Sequence, residues 1–297
     1  MNLIIDGVFS GGGMKAIALV GALQVMEEKN YSFRRVAGTS AGALVAALLA
    51  SGYKSPEITR IMRETQFSQL LDHKKTIIPS PFMRWLRVYW KLGMYKGDAL
   101  ERWIRGLLRD KGIDTFADLP EGSLRVVASD LSKGRILVMP DDLERYGILP
   151  EKFSVARAVR MSSGLPFFYE PILLFNRTGE KSVIVDGGVL SNFPLWLFDD
   201  GSARLKRPVI GFQLSTRLEN QPVRKINTAV DLYQGLFATM KQAHDARYIT
   251  QHDAAKIVFI PVDHVSASDF HLDEETKQKL IHYGRERTEK FLKKWIH

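Results

Sequence analysis

Residues 3–9 form a short apolar run that stops at Ser10-Gly11-Gly12-Gly13, and from Lys15 to Lys29 apolar residues return at helical spacing, at Ile17, Val20, Leu23 and Met26. This predicts strand, glycine loop, helix. Arg34 to Ala37 reads as a second brief strand, and the Ala/Leu-rich stretch after Gly38-Thr39-Ser40 reads as a helix closed near Gly52. Two such units in quick succession predict a parallel sheet with crossover helices. Arg125 to Ser129, Arg135 to Met139, Ser182 to Val185, Pro208 to Leu214 and Lys256 to Ile260 are β-branched or apolar runs that predict further strands. A long helix is expected near Ala229 to Thr250, and a charged amphipathic one from Asp273 to Trp295.

Residues 56–110 read mostly helical, with breaks at Pro79, Pro81 and Gly93, and look like an insertion on one side of the sheet. No internal repeat, acidic tail or Ser/Gly linker divides the chain, so residues 1–297 are read as a single α/β domain. Its core is placed at about 3–215 and a C-terminal helical extension at about 225–297.

Composition narrows the chemistry. The 297 residues contain no cysteine, which removes disulfides, thiolate metal sites and a cysteine nucleophile. Any covalent catalysis must therefore use another side chain. Lys and Arg outnumber Asp and Glu, 42 to 33, for a net charge of +9, which points to an anionic partner, nucleic acid or a membrane surface. Met1 to Phe9 lacks a basic leader and is interrupted by Asp6. The longest apolar stretch, Ala41 to Ala50, is far shorter than the ~20 residues that cross a bilayer, so it reads as a buried helix. A cytoplasmic protein is expected, with any membrane attachment peripheral.

Gly38-Thr39-Ser40-Ala41-Gly42 matches the G-x-S-x-G elbow, in which a strand turns sharply into a helix and holds a serine out at the sheet's edge. A serine hydroxyl needs a nearby base, and donors for the oxyanion formed when a carbonyl is attacked. Gly11, Gly12 and Gly13 leave backbone N–H groups open at a helix N-terminus, which suits an anion. Asp186 ends a predicted strand and is followed by Gly187 and Gly188, which permit close approach of another backbone. If the sheet is parallel, the strand C-termini share one edge, and the three segments converge there.

Three ordered blocks, Ser10 to Lys15, Gly38 to Gly42 and Asp186 to Gly188, resemble the patatin-like phospholipases. Val127 to Leu131, Ser162 to Pro166 and Val189 to Pro194 are similar to that family's connecting motifs, and the resemblance covers roughly residues 3 to 215. It implies a three-layer α/β/α fold with a mostly parallel central sheet. It also implies a phospholipase A or esterase type of lipid acyl hydrolase without metal or organic cofactor, with Ser40 as nucleophile, Asp186 as base and an oxyanion hole at Gly11 to Gly13. Lys15 stands where the family carries Lys or Arg, and Ala16 departs from its usual glycine.

Other readings stay open. The same acyl-serine could pass its acyl group to an alcohol or thiol. Gly11, Gly13 and Ala16 also fit a dinucleotide loop, which wants an acidic residue about 20 positions on, where Arg34 and Arg35 stand instead. Asp130, also at a strand end, is a rival base. A Ser-His-Asp triad would draw on His244, His252, His264, His271, His282 or His297. No metal-site or nucleic-acid signature accompanies these blocks.

Residues 81–97 place Arg84, Arg87 and Lys91 on one helical face and Phe82, Trp85, Leu86 and Tyr89 on the other. This suits an anionic lipid interface or a lid over an acyl pocket, and equally a helix packed on the core.

Overall fold

A computed structural model describes residues 3–72, 88–198, 207–214, 226–227, 232, 235–240, 254–262, 265, 267 and 269–295. β1 (Leu3–Phe9) leads through the glycine loop and a 3-10 turn (Gly13–Ala16) into α1 (Ile17–Glu28), and β2 (Tyr31–Thr39) leads through Ser40 into α2 (Ala41–Ala50). After α3 (Ser55–Glu64) come β3 (Gly93–Tyr95) and α4 (Asp98–Arg109), then β4 (Leu124–Asp130), β5 (Arg135–Met139) and α5 (Val155–Ser162). β6 (Phe167–Tyr169), β7 (Ile172–Phe175), β8 (Lys181–Asp186), β9 (Val209–Gln213), β10 (Ile257–Phe259) and α6 (Glu274–Leu292) follow.

The main sheet has the order β10-β9-β1-β2-β4-β8-β7, with β5 also paired to β4. From β10 to β4 every pairing is parallel, whereas β5 and β8 run antiparallel to β4. The fold is therefore α/β with a mostly parallel sheet. A shared edge of parallel strand ends does not account for Asp186, because β8 enters from the opposite direction. A strand's hydrophobic pattern is the same read in either direction, so the sequence carried no sign of this.

β5 lies along Val126 to Asp130 on one edge of β4. On its other edge, β2 pairs with Leu124 to Val127 and β8 with Ala128 to Asp130. β2 and β8 thus meet tip to tip.

Central strands are buried on both faces, which explains their near-continuous apolar runs. Asp6 is the exception in β1: fully buried, it accepts hydrogen bonds from the guanidinium groups of Arg35 and Arg207. Arg35 also lies over the Phe198 ring, so of the two arginines standing where a dinucleotide loop wants an acidic residue, this one is already engaged.

α1 and α2 are buried on nearly all sides. α1 is covered by α6 as well as the sheet, and backbones approach closely at two glycines. A Cβ on Gly21 would overlap the Ile281 carbonyl oxygen, and one on Gly284 would overlap that of Ala18. On the opposite face, Val8, Ala37, Val209 and Ile257 pack under Phe193, Leu195 and Phe198.

The segment read as an insertion, residues 56–110, carries most of α3 and all of α4, but Gly93 to Tyr95 is a strand, paired in parallel with β6 in a separate two-stranded sheet. α5, β6 and β7 were not anticipated. Residues 73–87 lie outside the described residues, as does most of the helix expected from Ala229 to Thr250, of which Leu232 and 235–240 are described and helical. No helix among the described residues is long and apolar enough to cross a membrane.

Candidate active site

β2 becomes α2 within a single residue, and Ser40 absorbs the turn at φ 56° and ψ −127°. That left-handed conformation costs a non-glycine residue roughly 1–3 kcal/mol and is held by its surroundings. A Cβ on Gly38 would overlap the Gly42 carbonyl oxygen, and one on Gly42 would overlap those of Phe9 and Ser10. Both glycines of the elbow are thus required by backbone contacts.

Ser40 Oγ donates to Asp186 Oδ2 at 2.7 Å. The register brings the two together: Thr39 is level with Val127 of β4, and the next residue, Ala128, is paired with Asp186. Ser40 therefore leaves β2 at the height where β8 stops. Asp186 Oδ1 accepts the Gly188 N–H at 2.7 Å, and the Asp186 N–H donates to Gly164 O at 2.9 Å. One carboxylate oxygen is thereby fixed by backbone and the other is aimed at the Ser40 hydroxyl. Gly187 permits the tight turn, since a Cβ there would overlap Val127 O and come within 2.9 Å of Thr39 Cγ2. Ser40 and Asp186 are both buried.

The Ser40 N–H donates to Ser162 Oγ at 2.8 Å, and Ser162 Oγ donates in turn to Val127 O at 2.5 Å. Thr39 Oγ1 donates to Ser191 O at 2.9 Å. The roles of Ser162 and Ser191 were not read from the sequence, although both fall within the quoted motifs. Each acts on a residue over a hundred positions away, and no local pattern signals that.

The glycine loop lies against Ser40: a Cβ on Gly11 would stand 3.1 Å from Ser40 Cβ. Gly11 differs from its neighbours, because its N–H already donates to Asn192 O at 3.0 Å. Among the described residues the N–H groups of Gly12 and Gly13 have no such partner. Gly13 has φ 56° and lies against the Ala267 carbonyl, which also accepts the Met14 N–H at 3.0 Å. Ser10 anchors the loop from the other side, donating its N–H to Phe212 O at 3.0 Å and accepting the Leu214 N–H on Oγ at 2.9 Å. Lys15 is half-buried beside Gly12, and Ala16 is fully buried in the 3-10 turn.

The rival base is occupied elsewhere. Asp130 is buried and accepts the Tyr146 hydroxyl at 2.8 Å and the Lys133 N–H at 3.2 Å. Burial, and then that carboxylate, push Tyr146 up to about 12. Of the candidate histidines, His271 and His282 are exposed on the C-terminal segment, and His244, His252, His264 and His297 lie outside the described residues.

Comparison with known proteins places the chain in a family. The family described as patatin-like phospholipase matches residues 7–199. The chain is 54% identical over 295 residues to the Bacillus subtilis protein YqhO, covering 99% of this chain and 100% of that one. It is 26% identical over 235 residues to the cUMP-AMP-activated phospholipase of Escherichia coli, covering 75% of this chain and 63% of that one. The crystal structure of VipD from Legionella pneumophila shares the fold, with TM-score 0.55 and 17% identity over 98% of this chain and 67% of that one. The chain belongs to the patatin-like phospholipase family and is, as a member of it, an ester-hydrolysing enzyme and a lipid hydrolase.

Proposed function

We propose that the protein is a serine lipid acyl hydrolase that cleaves carboxylic esters of phospholipids or related lipids through a Ser40–Asp186 dyad. The 2.7 Å hydrogen bond from Ser40 Oγ to Asp186 Oδ2 carries the reading. Ser40 Oγ attacks the ester carbonyl carbon while its proton passes to Asp186 Oδ2. The tetrahedral oxyanion is met by the N–H groups of Gly12 and Gly13; Gly11 shapes the loop instead, its N–H being held by Asn192. Collapse breaks the bond to the leaving alcohol, which takes the proton from Asp186, and leaves an acyl-serine. A water then attacks the acyl carbon, gives its proton to Asp186, and collapse returns that proton to Ser40 Oγ as the fatty acid leaves.

Ser40 is strained and preset, so little reorganisation is needed at the moment of attack. The hydrogen bonds that Ser10 donates to Phe212 O and accepts from the Leu214 N–H support taking the chain as one catalytic domain. We assign peripheral contact with anionic lipid to the 81–97 segment, of which residues 81–87 lie outside the described residues.

Labelling with a fluorophosphonate tests the proposal. Wild type should be labelled, while Ser40→Ala should be neither labelled nor active on lipid esters. A Ser40→Ala variant with full hydrolytic activity would sink it. Product analysis with an added alcohol or thiol separates hydrolysis from acyl transfer.

A further inference from the structure

Leu92 and Phe167 stand at positive φ, 59° and 63°. This conformation is rare for a bulky side chain, whose Cβ crowds the backbone there. Both side chains nonetheless face solvent, Leu92 48% and Phe167 49% exposed. They come from distant segments and are brought near each other because Gly93, next to Leu92, pairs with Phe167 in the β3–β6 ladder. Glycine is needed at 93, where a Cβ would overlap the backbone of Tyr169 and Glu170. Tyr89 and Trp90, just before Leu92, are 76% and 72% exposed and contact each other edge to face, with ring centroids 5.3 Å apart. Tyr89, Trp90 and Leu92 fall within four consecutive residues and Phe167 is paired to the next one, so four large exposed apolar side chains stand as a lip at this end of the β3–β6 ladder.

The lip has a rigid mount tied to the dyad. Arg160 of α5 is 1% exposed and donates to Gly97 O at 3.1 Å, Lys96 O at 2.6 Å and Glu170 O at 2.9 Å. Its guanidinium also lies over the Tyr169 ring at 4.8 Å, so it bridges the ends of β3 and β6. Two residues further along α5 stands Ser162, which holds the Ser40 amide. Phe167 follows three residues after Gly164, whose carbonyl holds the Asp186 amide.

We infer that Tyr89, Trp90, Leu92 and Phe167 are the element that enters an anionic phospholipid surface and seats the dyad at that interface. Aromatic and leucine side chains on a fixed lip suit the boundary between headgroups and acyl chains. Exposed Lys91 lies among them, and the chain carries +9. That charge favours an anionic surface and opposes a second copy of the same chain. The inference rests on the reading of the protein as a lipid hydrolase, and its test separates the two.

The variant Leu92→Asn/Phe167→Asn keeps residues that tolerate positive φ while removing the apolar surface. Its retention by sedimented vesicles of phosphatidylcholine and phosphatidylglycerol at low salt should fall about tenfold or more. Hydrolysis of the vesicle lipid should fall with it, while cleavage of a monomeric short-chain ester and the melting temperature stay at the wild-type level. Trp90→Ala, away from the strained positions, should also weaken retention and decides the matter if the double variant misfolds. Undiminished retention in Trp90→Ala and the folded double variant overturns the lip, and equal retention of wild type by pure phosphatidylcholine vesicles overturns the anionic preference. A wild type that binds vesicles but cleaves no ester defeats the hydrolase reading and leaves the lip standing.

Discussion

Thr39 and Asp186 end two strands that run towards each other along the same edge of β4, β2 against Leu124 to Val127 and β8 against Ala128 to Asp130. Ser40, the proposed nucleophile, is the first residue beyond one strand, and Asp186, its hydrogen-bond partner, is the last residue of the other. A small rearrangement of either strand would separate them, which is why Gly187, Gly38 and Gly42 are all pressed against neighbouring backbone.

Asp186→Asn should abolish the polarity of the dyad without disturbing its shape. The amide oxygen can still accept the Gly188 N–H, but the amide nitrogen would then face Ser40 Oγ as a donor and take no proton. Turnover of a lipid ester should fall about 10²- to 10⁴-fold with little change in melting temperature. Wild-type turnover in this variant would remove Asp186 from the mechanism.

Ser162→Ala leaves the Ser40 N–H and Val127 O without their shared partner in a buried position. A cost of about 1–3 kcal/mol in unfolding free energy is expected. Because the lost bond holds the elbow, kcat should drop while KM stays near its wild-type value, with partial recovery in Ser162→Thr. Steady-state kinetics beside denaturant unfolding measures both.

Two helical glycines should respond in opposite directions. At Gly106 in α4 nothing lies near an added Cβ, so Gly106→Ala should stabilise by about 0.4–1 kcal/mol through the unfolded chain and helix propensity. Gly284→Ala would drive a methyl into the Ala18 carbonyl of α1 and should destabilise by about 1–3 kcal/mol. Thermal or denaturant unfolding of the pair reads the difference directly.

Tyr146 is pushed up to about 12 from an ordinary 10.0 by burial and by the Asp130 carboxylate. Its folded form holds the proton more tightly than the unfolded chain, so this contribution is whole below about 10 and is lost as pH rises through about 12. Tyr146→Phe should flatten the fall of stability across that window. An ultraviolet titration of the phenol in the folded protein that ends near 10 would contradict this.

The parts of the fold legible in the sequence are those with long, self-contained patterns. β1, β4, β5 and β8 to β10 are runs of β-branched and apolar residues, and α1 and α2 follow glycine-marked turns. β3 and β6 are three residues each, too short for a period, and stand only because each pairs with the other. α5 is eight residues with Arg157 and Arg160 inside it, so its apolar face is easily overlooked. Ser40, Asp186 and the glycine loop were legible because local backbone demands select glycine around them. Ser162, Asn192 and Arg160 were not, since each acts through a contact made only after the chain has closed. Gly11 was legible as part of the loop, but the engagement of its N–H by Asn192 was not.

The anchoring of the N-terminal loop by late segments has a consequence for synthesis. Both dyad residues have been made by residue 186, but Ser10 is held by Phe212 and Leu214, Met14 by Ala267, and α1 by the glycine contact with α6. Until β9 exists, one edge of β1 has no partner, and the glycine loop is not seated. A nascent chain on the ribosome therefore carries Ser40 and Asp186 well before the segments that seat the glycine loop beside them have been made.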